Sequence, residues 1–204
     1  MLDYDPKIKK KLKKLRPEIE KWLNKNVSKK RFEHILGVVK TAKRYAKKLK
    51  LDFYKVELSA LLHDCAKEYT NKKLLSIARR KKIKMDEVDY KLPHILHARV
   101  GAEIAKEKFG IRNSDVLGGI RCHTLAEPYM SKIMMVVYLA DASEPGRDKK
   151  FATPIRKTFK EKGLEEAVLH AINSKLRYVF EENKMIHPLT IRARNWLLSI
   201  IKET

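Results

Sequence analysis

Glycine and proline are scarce in this sequence, with 7 of each among 204 residues. An all-β protein needs many tight turns, and these two residues are among those that most often supply them. No segment shows the sustained alternation of apolar and polar residues that is typical of a half-buried strand. The sequence therefore argues against a sheet protein and predicts an all-α fold. Its length suits one domain, with or without an appended element.

Cysteine and long apolar runs are scarce as well. Only 2 cysteines are present, so we do not expect a structural disulfide. The longest uncharged apolar run, Ile133 to Ala140, is far too short to cross a bilayer. The first residues contain no hydrophobic leader. We therefore expect a cytoplasmic protein that does not associate with a membrane.

Acidic residues are strongly outnumbered. The chain has 47 Lys and Arg against 25 Asp and Glu, which gives a formal charge of +22. A polyanion is the natural class of partner for such a chain, and nucleotides, nucleic acid and anionic lipid all qualify.

Residues 1–29 are predicted to form a basic amphipathic helical extension, and residues 30–204 the domain itself. In the extension, lysines separate apolar residues that recur at helical spacing: Ile8, Leu12, Leu15, Ile19 and Leu23. The lysines form either a solvated face on a helix that packs against the domain, or a contact for RNA or for a partner helix.

Helical spacing of apolar residues continues along the rest of the chain. Proline suits the first turn of a helix and serine suits the position that caps it. These signals predict helix starts at Pro93, Ser114, Ser131, Thr153-Pro154 and Pro188.

One predicted helix, from about Lys55 to Lys67, has an unusual end. Its apolar run finishes in Leu61 and Leu62 and is followed at once by His63 and Asp64. Burial of either polar side chain without a partner costs several kcal/mol, so something should satisfy both. A divalent metal ion is an economical candidate, since imidazole nitrogen and carboxylate oxygen are its usual ligands in proteins.

Other helices carry further residues of the same kind, which a helical bundle could bring together at its centre. The candidate ligand set is His34, His63, Asp64, His97, His123 and Asp141. Six groups are too many for one tetrahedral ion but suit two ions that share a bridging carboxylate and keep positions open for water and substrate.

Other residues near this set have ordinary interpretations. A histidine on an apolar helix is commonly a hydrogen-bonded core residue, which is the interpretation for His170 and His187. Cys65 and Cys122 each adjoin a candidate ligand, but a neighbour along a helix points about 100° away. We expect both cysteines to be small buried residues.

The candidate ligands and the strings around them resemble the bacterial YqeK proteins, a branch of the HD-domain metal-dependent phosphohydrolases. The similar strings are Arg31-Phe32-Glu33-His34-Ile35-Leu36-Gly37-Val38, Leu62-His63-Asp64-Cys65-Ala66-Lys67, Leu96-His97-Ala98-Arg99-Val100-Gly101-Ala102, His123-Thr124, and Tyr138-Leu139-Ala140-Asp141 with Glu144-Pro145 and Arg147. The resemblance covers about residues 30–185. It implies an HD-domain helical bundle whose helices surround a central dinuclear metal site.

The YqeK resemblance also implies an activity, the symmetrical hydrolysis of diadenosine tetraphosphate into two ADP. It implies iron as the metal, with manganese or another divalent ion as the alternative. One ion would be held by His34, His63 and Asp141 and the other by His97 and His123, with Asp64 between them. Asp64 and His63 would be catalytic, with a metal-bridging hydroxide attacking a phosphate in line with the leaving nucleotide.

One segment departs from the family pattern. After His-Thr the family usually continues with Thr-Gly, whereas this chain has Leu125-Ala126-Glu127. A glycine lets the backbone approach a ligand or take a positive φ. The departure therefore bears on substrate detail more than on the class of reaction.

A polyphosphate needs cations beyond the metals, and the arginine fork suits it. The predicted substrate contacts are Arg31, Lys67, Arg147, His94 and Thr124. Each cation could instead form an ordinary surface ion pair, and His94 could instead support His97 from one turn away or be a core histidine.

Three functions from different classes follow from these features. The favoured one is a two-metal hydrolase of dinucleoside polyphosphates. The second is another HD-type phosphohydrolase, acting on mononucleotides. The third is a basic RNA-associated module with a structural metal, which the complete ligand set disfavours. A homodimer is also consistent with the family.

Overall fold

The computed structural model describes residues 6–202, and within that range every regular element is helical. The α-helices are α1 Pro6–Asn26, α2 Lys29–Lys48, α3 Phe53–Leu62, α4 Asn71–Arg80, α5 Glu87–Lys91, α6 His97–Lys108, α7 Ser114–Cys122, α8 Lys132–Ser143, α9 Lys149–Lys162, α10 Leu164–Glu181 and α11 Pro188–Lys202. A 3₁₀ turn, Pro93–Leu96, joins α5 to α6. The all-α prediction is confirmed.

Polar side chains start most of the helices around the centre. Ser28, Asp52, Asn113 and Ser131 each accept a hydrogen bond from a backbone N–H in the first turn of α2, α3, α7 and α8, respectively. These bonds satisfy donors that the helix itself leaves without a partner. The predicted start of α8 at Ser131 is thus correct, and that of α7 is one residue away from its cap.

Helices α3 and α8 form the centre of the bundle. Helix α3 packs against α1, α2, α7 and α8, and α8 also packs against α9 and α10. Leu58, Leu61 and Leu62 of α3 are fully buried, as are Tyr138 and Leu139 of α8. Most residues of both helices are buried. A helix that is surrounded by the core is apolar on every face and does not show one polar side.

Helix α1 packs onto the same core. Ile19 and Leu23 are fully buried, and Arg16 pairs with the buried carboxylate of Glu57 on α3. Lys43 of α2 binds the other oxygen of Glu57 at 2.7 Å. The apolar face of the basic helix is therefore turned inward. Its treatment as an extension separate from residues 30–204 stays a prediction.

A smaller apolar cluster lies under the connection from α4 to α6. Its buried members are Ala66, Leu74, Ala78, Leu96 and Val100. It fixes the 3₁₀ turn against α4, and thereby the point at which α6 begins. Within residues 6–202, no helix is both long enough and apolar enough to cross a membrane.

Candidate metal centre

Helix ends supply most of the candidate ligands. His63 and His123 directly follow α3 and α7 as their C-caps, His97 is the first residue of α6, and Asp64 follows His63. The body of each helix is apolar and packs in the core, so its polar end reaches the centre of the bundle without breaking the packing. All four side chains are buried.

Two further candidate ligands come from inside helices. His34 lies near the start of α2 and Asp141 in the last turn of α8. The imidazole Nε2 of His34 lies 3.1 Å from Oδ1 of Asp141. Because α2 and α8 pack side by side, these two residues join the helix ends at one place.

The backbone fixes the orientation of three histidines. In each, Nδ1 lies close to the carbonyl oxygen three residues earlier: His63 to Ala60 at 2.7 Å, His97 to His94 at 2.6 Å, and His123 to Ile120 at 2.7 Å. A carbonyl oxygen can only accept, so Nδ1 carries the hydrogen. Nε2 of each ring therefore carries a lone pair that is directed at the centre, as metal-binding histidines require.

A carboxylate orients the fourth histidine. Nδ1 of His34 donates to Oε1 of Glu144 at 3.1 Å, and the other oxygen of Glu144 accepts from the Gly146 N–H at 2.6 Å. A methyl group at Gly37 or Gly146 would lie 2.9 or 2.8 Å from the Glu144 carboxylate. The two glycines thus leave the space that this carboxylate occupies.

Asp64 faces both halves of the site. Its Oδ1 lies 3.2 Å from Nε2 of His97 and 3.2 Å from Nε2 of His123. Its Oδ2 lies 3.6 Å from Nε2 of His63 and 3.8 Å from Nε2 of His34. One carboxylate oxygen is directed at each pair of histidines, which is the arrangement of a ligand shared by two ions.

The residues fit divalent cations. Nε2 of His34 and of His63 are buried and make no hydrogen bond within the described chain. The Nε2 atoms of His97 and His123 lie only 3.1 Å apart, although both carry lone pairs. Two groups, His34-His63-Asp141 and His63-Asp64-His123, bring their candidate ligand atoms within 4.8 Å of one another. A cation among these atoms removes the repulsion and satisfies the buried nitrogens.

The protonation states of the candidate ligands also suit divalent cations. Burial lowers the pKa of His63 and of His97 to about 4, so both rings are neutral at physiological pH. Burial opposes ionisation of Asp64 and Asp141, but the neighbouring histidines, and Arg147 beside Asp141, outweigh it and hold the pKa of both carboxyl groups well below its ordinary value. Neutral imidazoles with ionised carboxylates form the donor set that divalent metals take.

The two cysteines are not part of this donor set. Burial raises the pKa of the Cys122 thiol to about 12 and raises the pKa of the Cys65 thiol further. Sγ of Cys65 lies 3.7 Å from the carbonyl oxygen of Gly101. Both thiols are buried and protonated, as expected for small core residues.

A cationic cavity of about 420 Å³ lies over the candidate ligands. Arg31 donates to Oδ2 of Asp64 at 2.8 Å, and Arg147 donates to both the backbone oxygen and Oδ1 of Asp141. Nζ of Lys67 lies 3.5 Å from Nε2 of His97. The structure thus brings all three predicted cations to the site. Arg31 and Arg147 are thus each paired with a carboxylate that is itself a candidate ligand.

Of the other two predicted substrate contacts, Thr124 lines the cationic cavity and His94 does not. Oγ1 of Thr124 is 3.1 Å from Nε2 of both His97 and His123, inside the cationic cavity. The His94 side chain is exposed and lines a neighbouring cavity instead, while its carbonyl oxygen orients His97. A direct contact between His94 and substrate stays a prediction.

One lysine of this cavity was not predicted from the sequence. Lys175 of α10 lines it together with Arg31, Lys67 and Arg147. A signal was present, because Lys175 continues the helical spacing of the buried residues Leu164, Val168 and Ala171. A lysine on an otherwise apolar helix face is a candidate for a functional role.

Comparison with protein families identifies this fold. The model of the HD domain matches residues 31–146, a segment that includes all six candidate ligands. The chain belongs to the HD domain family.

Relatives within the HD family are similar over most of the chain. A Bacillus subtilis protein named symmetrical bis(5'-nucleosyl)-tetraphosphatase is 32% identical over 169 residues, which cover 83% of this chain and 90% of the relative. The Staphylococcus aureus protein of the same name is 30% identical over 168 residues, covering 82% of this chain and 86% of the relative.

A crystal structure from Clostridium acetobutylicum, described as a predicted HD superfamily hydrolase involved in NAD metabolism, superposes with a TM-score of 0.87 at 34% identity. It covers 91% of this chain and 97% of that one. The predicted membership of the HD-domain hydrolases is confirmed.

The segment that departs from the YqeK pattern has an unusual backbone. Ala126 is fully buried and has a φ of 60°, in the left-handed region. This conformation costs a residue with a side chain roughly 1 kcal/mol and costs glycine nothing. This backbone conformation explains why glycine is usual at this position in the YqeK branch. In this chain alanine adopts the left-handed conformation, and Thr190 of α11 holds the segment by donating to the Leu125 carbonyl at 2.9 Å.

Proposed function

We propose that this HD-domain protein is a symmetrical bis(5'-nucleosyl)-tetraphosphatase that cleaves diadenosine tetraphosphate into two ADP. Relatives that carry this name match more than four fifths of the chain. One structural observation supports the chemistry most directly. Asp64 presents one oxygen to each pair of histidines, beneath a cavity with four cationic side chains.

The proposed ligands of one divalent ion are His34, His63 and Asp141, and those of the other are His97 and His123, with Asp64 shared. When bound, the two ions lower the pKa of water and offset negative charge on phosphoryl oxygens. HD-domain hydrolases bind divalent metals, and the His and Asp clusters of this chain suit them. Iron, with manganese or another divalent ion as the alternative, stays a prediction.

The cationic side chains have a role that follows from their position. A tetraphosphate carries several negative charges, and cleavage at its centre leaves a nucleoside diphosphate with a new phosphate oxyanion. Arg31 and Arg147 lie beside the candidate ligands, where their planar forks can bind phosphate oxygens in pairs. Lys67 adds a third cation at the His97 side. Together they hold the phosphate chain over the site and offset the charge of the leaving group.

Three further expectations stay predictions: cytoplasmic location, a homodimer, and a nucleic-acid partner as the less favoured alternative.

The reaction is tested by product analysis. Purified protein is incubated with diadenosine tetraphosphate, and separately with AMP, ADP and ATP, and the nucleotides are separated by chromatography. The proposal predicts ADP as the sole nucleotide product from the dinucleotide. Release of AMP plus ATP would contradict symmetrical cleavage, and turnover of mononucleotides alone would favour the alternative HD-type phosphohydrolase.

A further inference from the structure

Lys175 reaches the catalytic cavity from outside the segment that matches the HD domain. The match ends at residue 146, whereas Lys175 lies on α10. Its Nζ lies 3.4 Å from the carbonyl oxygen of Thr124 and 4.5 Å from the centre of the Tyr138 ring. Thr124 follows the candidate ligand His123 directly. An ammonium group is therefore held at the edge of the candidate metal centre by a part of the chain that is not common to all HD domains.

A second cavity begins where the first one ends. It has a volume of about 660 Å³, and Thr124 and Lys175 line both cavities. Beyond Lys175 its walls are mainly apolar, formed by Ile95, Leu125 and Val179 among others. The volume lies in the range of sites for small organic ligands, and apolar walls with a few polar groups are typical of such sites.

The charge of Lys175 lacks a nearby counter-ion in the protein. Within residues 6–202, no carboxylate lies within ion-pair distance of its Nζ, although the chain forms many ion pairs elsewhere. Burial lowers the pKa of Lys175 to about 8, Asp141 opposes this shift, and Arg147 and Lys67 add to it. A bound anion would satisfy this ammonium group and restore the ordinary preference for its charged form.

We infer that Lys175 binds the phosphate next to a nucleoside, and that the apolar cavity beyond it holds that nucleoside. This inference rests on the proposed function, because it places one nucleoside diphosphate half of the proposed substrate in the two adjoining cavities. A nucleoside diphosphate matches both parts: its phosphates lie among the cations, and its base and ribose face Ile95, Leu125 and Val179. Inorganic polyphosphates would gain only the first part.

The test measures binding of ADP, the proposed product, to the metal-containing protein by titration calorimetry. Lys175→Met removes the charge and keeps the side-chain length, and Lys175→Arg keeps the charge. Loss of one charge-assisted hydrogen bond predicts a Kd for ADP about 10- to 100-fold higher in Lys175→Met, with most of the affinity retained in Lys175→Arg. The KM for the dinucleotide should rise by a similar factor while kcat changes less. Lys160→Met, on the exposed side of α9, is the matched control and should behave as wild type.

The apolar cavity is tested by Val179→Trp, which fills it one turn beyond Lys175. This change should weaken ADP binding by at least about 10-fold and leave binding of pyrophosphate within about 2-fold of wild type. Thermal unfolding of each variant establishes that it is folded. A folded Lys175→Met protein that binds ADP as wild type does would overturn the role of Lys175. Equal weakening of ADP and pyrophosphate by Val179→Trp would overturn the placement of the nucleoside.

These outcomes are separable from failure of the proposed function. ADP binding does not depend on which bond the enzyme cleaves. If wild type produces AMP and ATP but its ADP affinity still depends on Lys175, the proposed function fails and the inference holds. If wild type produces only ADP and Lys175→Met binds ADP normally, the inference alone fails.

Discussion

The orientation of single histidine side chains decides what this site can bind. The sequence predicted His63, His97 and His123 as ligands because each falls on or at the end of a different predicted helix. It could not show that Nδ1 of each ring is bonded to a carbonyl three residues earlier, because that contact depends on how the helix ends. The residue types of the site were predictable from sequence, whereas the direction of Nε2 was not.

A substitution at Glu144 tests whether the orientation of the His34 ring matters for metal binding. Glu144→Ala removes the acceptor of His34 Nδ1 and should lower metal affinity about 10- to 100-fold, because the ring is no longer held with Nε2 toward the site. Metal content after dialysis against graded chelator concentrations measures the effect. Glu127→Ala is the control, since Glu127 pairs with Arg121 on a partly exposed surface. Equal metal retention in Glu144→Ala and wild type would refute the role of Glu144.

Among the elements, the predicted helix starts can be compared with the observed ones. Ser131 caps α8 as predicted, and Pro188 begins α11. The predicted start at Thr153-Pro154 was wrong, because α9 already begins at Lys149, where the Asp148 carboxylate accepts from the Lys150 N–H at 2.8 Å. Proline favours a first turn, but it is also tolerated further inside when tertiary packing holds the helix, as burial of Ala152 and Ile155 does here.

A buried ion pair ties three elements together near the apolar cavity. Asp89 of α5 is fully buried and pairs with Arg99 of α6. Nε2 of His187, just before α11, lies 3.4 Å from the same carboxylate. The sequence suggested an ordinary hydrogen-bonded core role for His187, and the structure agrees, because His187 is buried and its Nδ1 accepts from the Leu189 N–H at 3.1 Å. No periodicity connects residues 89, 99 and 187, so the cluster could not be predicted from sequence.

This ion pair predicts how stability depends on pH. Burial opposes ionisation of Asp89, but hydrogen bonds from Arg99 and from the Asp86 N–H outweigh it and lower the pKa of the carboxyl group below its ordinary value. The unfolded chain therefore takes up this proton at a higher pH than the folded chain. The stabilisation is present above the ordinary value of about 4 and is lost as the pH falls through the lowered pKa.

Asp89→Asn tests that prediction. At pH 7 the substitution should reduce the free energy of unfolding by about 3 kcal/mol, because it leaves Arg99 buried without its counter-ion. The loss should shrink toward pH 3. Urea unfolding of chelator-treated proteins measures it without a contribution from metal release. Asp115→Asn, which removes a partly exposed pair with Lys55, should cost less than about 1 kcal/mol. A constant difference between Asp89→Asn and wild type across the pH range would contradict the account.

In the whole molecule, the HD segment supplies the candidate ligands, and a later helix supplies part of the cavity walls. Residues 31–146 contain every candidate ligand, and the order of these residues was enough to predict the fold and the class of reaction. Helix α10 adds Lys175 and one wall of the second cavity. The spacing of Lys175 places it on the buried face of α10 but does not show which cavity that face lines. The formal charge of +22 predicted an anionic partner, but only the assembled structure shows which four cations converge on one cavity.

Metal analysis of wild type and Asp64→Ala tests whether Asp64 joins two metal sites. Elemental analysis of purified wild type should give close to two divalent ions per chain. Asp64→Ala should stay helical by circular dichroism, lose its metal, and lose more than about 100-fold in turnover of diadenosine tetraphosphate. Asp115→Ala should match wild type in both measurements. A folded Asp64→Ala protein that keeps its metal and its turnover, or a wild type active without metal, would contradict the account.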